Sequence, residues 1–275
     1  MKKNWLYNKN VLISGASGGI GFNIAKILIE KYNCTVFALA RNEEKLNNAK
    51  NSLKEKSKNY IYKTFDVSKR ENWQNLANEY AEKNIKIDIL INNAGFMLPF
   101  SKFENYSESE IEEIIDTNLM SVIYSVKYLL PILKTSTTPA IINISSSAGN
   151  CAVVGESMYC ATKFAVKGFT DTIRQDYKKK IYVCGVYPGF IRTNILNRMS
   201  VADKENKLIQ KLMLPVDKAS KRIVNRIKKK KKSIILGIDG KTMSLFARLF
   251  PNATPSIVRK VLKTSKLDIF DKTFN

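Results

Sequence analysis

The 275-residue chain contains no histidine. That removes the commonest zinc ligand and the side chain that most often moves protons near neutral pH. Acid/base chemistry therefore falls to tyrosine, lysine, cysteine or a carboxylate with a shifted pKa. Cysteine is scarce: Cys34, Cys151, Cys160 and Cys184 are scattered without a Cys-x-x-Cys pair, which predicts free thiols rather than a disulfide framework. No uninterrupted apolar run reaches the roughly 18 residues a membrane-spanning helix needs. Acids are few beside bases, 24 against 46, and the formal net charge is +22. Such a surface favours nucleotides, acidic headgroups or nucleic acid, although scattered lysines also make an ordinary solvated surface. The hydrophobic share, 44%, and the charged share, 25%, exclude a disordered chain. The length suffices for one large α/β domain.

Lys2 and Lys3 precede an apolar stretch around Val11 to Ile29, an arrangement that imitates a secretion signal. The four glycines between Gly15 and Gly21 argue against that reading. Short apolar runs instead alternate with helical periodicity. Strands are predicted at 10–14, 35–39, 60–65, 88–91, 140–144 and 181–186. The intervening helices are predicted at 21–32, 43–56, 70–83, 108–134 (ending near Pro131) and 158–179. Near-continuous apolar strands, each followed by a helix, predict a parallel sheet covered on both faces. The expected fold is α/β, a Rossmann-like doubly wound sheet of about seven strands, with ligands at the strands' carboxyl ends. Past residue 195 the pattern loosens. Residues 197–214 read as a flap, and a helix starts near Asp217 and runs to about Ile227. Lys228–Lys232 is a run of five lysines. Ser233–Leu236 is a last strand, turned at Asp239-Gly240. The catalytic domain is expected over 1–242, with a basic, amphipathic helical extension over 243–275 broken at Pro251 and Pro255.

Five clusters fall just after strands. Gly15, Ser17, Gly19, Ile20 and Gly21 lie in Ser-Gly-Ala-Ser-Gly-Gly-Ile-Gly, between a strand and a helix. There the glycines allow close backbone approach, and the helix start offers free N–H groups to a pyrophosphate. After the second strand stands Ala40-Arg41, without the acid that would bind the 2′-hydroxyl of NAD. Arg41 suits a 2′-phosphate, which favours NADP(H) and leaves NAD(H) open. Asn92-Asn93-Ala94-Gly95 follows the fourth strand and serves either a cofactor or a plain loop. Ser145-Ser146-Ser147 follows the fifth. Tyr159 and Lys163 are four apart on a helix, so they share a face, and an ammonium beside a phenol favours the phenolate.

In this order these elements resemble the short-chain dehydrogenase/reductase family over about residues 8–195. Ser14 replaces the usual threonine of the glycine motif and keeps the hydroxyl. The resemblance implies catalysis by Asn118, Ser146, Tyr159 and Lys163; the family's serine stands thirteen residues before its tyrosine, which selects Ser146. Tyr159 would transfer the proton, Lys163 bind the nicotinamide ribose, Ser146 polarise the carbonyl, and Asn118 hold a water. The resemblance also assigns Asp66 and Val67 to the adenine, and Asn93, Ala94, Gly95, Pro188, Gly189, Ile191 and Thr193 to the cofactor. It implies no metal.

The expected function is hydride transfer between a nicotinamide and a hydrophobic carbonyl or secondary alcohol. A non-catalytic NADP(H)-binding regulatory or membrane-associated protein on the same fold is the alternative, and the complete set of four catalytic residues speaks against it. A cytoplasmic homodimer or homotetramer is expected. The tail, with Leu245, Phe246, Leu249 and Phe250 around Arg248, suits a membrane surface, a subunit contact or a pocket lid. No nucleic-acid motif accompanies the lysine run.

Overall fold

In the first strand Val11 and Ile13 point into one apolar core and Leu12 into another. A strand with no polar face must be covered on both sides, and this alternation recurs in Ile89-Leu90-Ile91 and across Ala140–Ile144. The computed structural model describes residues 4–192, 213–265 and 267–274. Its main sheet contains β1 (Asn10–Ser14), β2 (Thr35–Ala40), β3 (Tyr60–Thr64), β4 (Ile89–Asn92), β5 (Ala140–Ile144), β6 (Tyr182–Pro188) and β9 (Ser233–Leu236). The order is β3-β2-β1-β4-β5-β6-β9, and every pairing is parallel. Between β6 and β9 in sequence, the short β7 (Ile191–Arg192) and β8 (Leu214–Pro215) pair with each other.

Helices α1 (Gly19–Tyr32), α2 (Glu43–Asn51) and α7 (Val216–Lys228) bury Ile24, Leu46 and Ile223 against one face of the sheet. On the other, α3 (Arg70–Glu82), α5 (Ser121–Leu133) and α6 (Ser157–Asp176) bury Trp73, Leu129 and Ile173. This is the doubly wound, Rossmann-like sheet of seven strands. Its strand order reverses between β1 and β4, so the crevice for a ligand opens at their carboxyl ends.

Three expectations change. The single helix over 108–134 is three pieces: α4 (Glu108–Ile115), a π-helical turn at Asp116–Met120, and α5. Pro131 lies inside α5 rather than ending it. The wide turn carries Asn118, and such turns often mark functional positions. The helix over 43–56 stops at Asn51 and gives way to a tighter 3-10 segment, Lys54–Asn59. Asp239-Gly240 does not turn the chain. The bend is at Gly237, whose φ of +83° suits glycine, and Asp239 opens α8 (Ile238–Leu249), which crosses residue 242. Helix α9 (Thr254–Thr264) follows. The flap over 197–214 falls, up to residue 212, outside the described residues.

Candidate active site

The β1–α1 turn forms one wall. Gly15 has φ +67° and Gly19 φ +54°. A Cβ on Gly15 would stand 2.9 Å from the Ala94 Cα, and one on Gly21 would stand 2.4 Å from the Gly15 carbonyl oxygen. Side chains at these two positions are therefore excluded by backbone. Gly18 caps α1 without a side-chain hydrogen bond, no acid lies in the helix's first turn, and a Cβ on Gly18 would meet open space. Beside Ser17, Gly19 and Ile20 the positive end of a 14-residue helix faces outward, a cradle of the kind a pyrophosphate needs.

Asn93 is bound to this turn rather than reaching away from it. Its Nδ2 donates to the carbonyls of Ser14 and Gly15, both at 3.0 Å. The Ser14 hydroxyl accepts from the backbone N–H groups of Asn93 and Ala94 at 3.0 and 3.1 Å. The Asn93 side chain thus fixes the shape of the glycine loop, while Ala94 and Gly95 present backbone to the crevice. A Cβ on Gly95 would lie 2.9 Å from Asn118 Oδ1 and 3.3 Å from Lys163 Nζ.

Asn118, fully buried, clamps the residue after Gly95. Its Oδ1 accepts from the Phe96 N–H at 2.9 Å and its Nδ2 donates to the Phe96 carbonyl at 2.8 Å. Lys163 is buried, with Nζ over the Tyr159 ring at 5.5 Å from its centroid. The carbonyl of Lys163 accepts from the Ser145 hydroxyl at 3.0 Å. Ser146 Oγ accepts from the Ala148 N–H at 3.1 Å, and the Ser146 side chain favours the ionised form of the Tyr159 phenol. Asn118, Ser146 and the α6 pair Tyr159 and Lys163 come from three separate segments and meet at the carboxyl ends of β4 and β5.

The electrostatics differ from the expectation of a lowered tyrosine pKa. Burial pushes Tyr159 above its ordinary value, and the Ser146 side chain offsets only part of that rise. Burial pulls Lys163 down to about 8. Desolvation opposes the charged state of either group: it keeps the Tyr159 phenol protonated and makes the Lys163 ammonium easier to deprotonate than an exposed one.

A polar chain supports the site from beneath. Ser125 Oγ donates to Asn92 Oδ1 (2.7 Å), Asn92 Nδ2 to Asn143 Oδ1 (2.9 Å), and Asn143 Nδ2 to Thr170 Oγ1 (2.9 Å). The chain joins α5, β4, β5 and α6, the elements that carry or adjoin Asn118, Ser146, Tyr159 and Lys163. Buried amides are kept in apolar strands only when satisfied in this way. The asparagine inside Ala-Ile-Ile-Asn-Ile was the available sign of it in the sequence.

After β3, Asp66 Oδ1 accepts from the N–H and hydroxyl of Ser68, at 3.0 and 2.7 Å. Burial raises the Asp66 pKa, yet those hydrogen bonds and the nearby Arg41 outweigh it, so the carboxyl stays below its usual range. Buried Val67 accepts from the Trp73 indole through its carbonyl. Arg41 is exposed and pairs with Glu113 at 3.7 Å. At the other end, a Cβ on Gly189 would collide with Asp239, whose Oδ2 accepts from the Phe190 N–H at 2.6 Å. Pro188 and Gly189 are therefore pinned by α8, and Ile191 is buried in β7. Thr193 lies outside the described residues.

The sequence profile of the family described as short chain dehydrogenase matches residues 9–204. The chain belongs to that family. It is accordingly an oxidoreductase. The chain is 28% identical to the uncharacterized oxidoreductase YxnA of Bacillus subtilis (strain 168), over 97% of its own length and 76% of the relative's. It is 30% identical to an NADPH-dependent pterin aldehyde reductase of Arabidopsis thaliana, over 68% of this short-chain dehydrogenase and 77% of that protein. Among solved structures, an alcohol dehydrogenase of the archaeon Thermococcus sibiricus, complexed with 5-hydroxy-NADP, superimposes with a TM-score of 0.71 at 25% identity, covering 83% of this chain and 96% of that one. Among the described residues no helix is long and apolar enough to cross a membrane, and no group of acids and cysteines is placed to hold a metal.

Proposed function

We propose that this short-chain dehydrogenase is an NADP(H)-dependent carbonyl reductase or alcohol dehydrogenase in which Tyr159 moves the proton. The observation that carries the reading is the meeting of Ser146, Tyr159 and buried Lys163 beside Gly95, across from the glycine turn. The cofactor fits the residues present. Its pyrophosphate has the start of α1 with Gly15, Ser17, Gly19, Ile20 and Gly21. Its nicotinamide end has Ala94, Gly95, Lys163, and Pro188 to Ile191, and its adenine has Asp66 and Val67. When bound, the nicotinamide supplies or accepts the hydride.

Tyr159 and Ser146 hold the substrate oxygen, and Ser146 polarises it. The phenol gives its proton to that oxygen as negative charge develops there. A phenol kept protonated by burial is ready to donate, which suits carbonyl reduction. Lys163, close to the ring, stabilises the phenolate that remains. Asn118 holds the Phe96 backbone and, through it, the Gly95 surface.

The pterin reductase relative and the NADP-bound neighbour support the phosphorylated cofactor, and exposed Arg41, just after β2, is the cation assigned here to read it. The substrate is taken to be hydrophobic, because the Phe100–Phe270 pair lies in segments that meet Gly155, four residues before Tyr159. A screen of hydrophobic aldehydes and ketones, followed by loss of reduced-cofactor absorbance, should find turnover with NADPH faster than with NADH. No turnover with either cofactor would sink the reading. In direct binding, Arg41→Ala should weaken NADPH about tenfold, the loss of one charge-assisted contact, and leave NADH nearly unchanged. Glu113→Gln, which frees Arg41, should strengthen NADPH a few-fold. Equal effects on both cofactors would remove Arg41 from the specificity argument.

A further inference from the structure

Large apolar side chains that stay in water are concentrated at the end of the chain. Helix α8 and the residue after it expose Leu245, Phe246, Leu249 and Phe250, and α9 exposes Ile257 and Val261. The pairs 245/249, 246/250 and 257/261 are each four apart, so each helix carries a continuous apolar stripe. The charges around the stripes have one sign. Lys241, Arg248, Arg259, Lys260 and Lys263 are all exposed. The only acid between Gly237 and Leu267 is Asp239, and it is turned inward to the Phe190 N–H.

We propose that the exposed face of α8 and α9 docks on an anionic lipid bilayer. Apolar stripes bordered by cations match a membrane interface, with acyl chains under the stripe and phosphates beside the cations. The polar side of α9 presents Ser256, Arg259, Lys260, Lys263 and Thr264 around a shallow, open hollow, a donor set that suits a headgroup phosphate. A second copy of the chain is a poorer occupant, because the same face would bring cations against cations on a chain of net charge +22. The chain's own last residues leave the apolar stripes exposed: Phe270 stacks edge-on against Phe100 at 4.7 Å, Thr273 fills the space over Gly155, and Phe274 meets α9 at the Arg259 guanidinium, 5.7 Å from its ring centroid. The same helix reaches the candidate site by its inner side, since the start of α8 pins the Gly189 turn and approaches Ser147 through Gly240. The inference does not depend on the chemistry proposed above.

The test is flotation of the full chain with phosphatidylcholine vesicles, with and without about one-third phosphatidylserine. A chain this basic adheres to any anionic surface, so the decisive comparison keeps the charge constant. Leu245→Ser/Phe246→Ser/Leu249→Ser should bind the anionic vesicles at least about tenfold more weakly than the wild type. Lys229→Gln/Lys230→Gln/Lys231→Gln, outside the face, should stay within a few-fold of it. If circular dichroism shows the triple serine variant unfolded, Leu249→Gln/Val261→Gln replaces it with the same expected direction. Three results overturn the proposal: wild type that does not float, apolar variants that float as well as wild type, or a wild-type dimer that the apolar variant abolishes without any change in flotation.

Discussion

Lys163→Met should make the folded protein more stable and the enzyme nearly inactive. Burial has pulled the Lys163 pKa from 10.5 to about 8, and the folded state therefore carries a cost for the charged amine at neutral pH. That displacement corresponds to about 3 kcal/mol. Methionine keeps the apolar stem and the volume, and it forfeits the contact of the ammonium with the Tyr159 ring, worth about 0.5–1 kcal/mol. The desolvation effect is larger, so the net gain at pH 7 is expected to be about 2 kcal/mol. Its pH dependence has a definite sign. The cost to the wild type is fully present below pH 8 and fades as pH rises towards 10.5, because there only the unfolded chain still binds the proton. Urea denaturation of the cofactor-free protein at pH 7 and pH 10 should show the variant's advantage shrinking between them. Turnover should fall about 10²–10³-fold through loss of charge stabilisation at the phenolate. A variant less stable than wild type at both pH values would contradict the assignment of Lys163 as a desolvated amine.

Tyr159→Phe should separate chemistry from binding. The ring keeps its place among the same neighbours, including Lys163 Nζ, so the fold and the cofactor cradle are preserved. Only the phenolic proton and its contact with Ser146 disappear. General acid catalysis by a positioned group is worth about 10²–10⁴-fold, and the loss should appear in kcat with NADPH affinity changed less than about threefold. A weakened cofactor with intact kcat would make the tyrosine a binding residue instead.

Both predictions rest on residues whose proximity was legible in the sequence to different degrees. The strands were plain because both-face burial leaves runs such as Val11–Ile13 without polar interruption. The glycine turn was plain because backbone collisions at Gly15 and Gly21 leave no other residue possible. Tyr159 and Lys163 share a helix, so their adjacency follows from local geometry. Other features need the tertiary structure. A π-turn at Asp116–Met120 has nearly the apolar pattern of an α-helix, so the break that carries Asn118 stayed hidden. The Asn92–Asn143 pair joins two strands fifty-one positions apart. Arg41 meets Glu113 only because α4 passes the carboxyl end of β2. Asn93 looks like a cofactor ligand until its amide is seen tied to Ser14 and Gly15. The pKa expectation failed for a related reason: a helix spacing reports that an ammonium is near a phenol, but not that the ammonium is buried and the phenol half-buried, and desolvation dominates here.

The most direct test of the mechanism is a single-turnover experiment on wild type and Tyr159→Phe. Both proteins are saturated with NADPH and mixed with the best carbonyl from the screen, and oxidation of the bound cofactor is followed. The tyrosine mechanism predicts complete oxidation in the wild type and a rate about 10²–10⁴-fold lower in the variant, with NADPH still bound. Equal rates in the two proteins would contradict it.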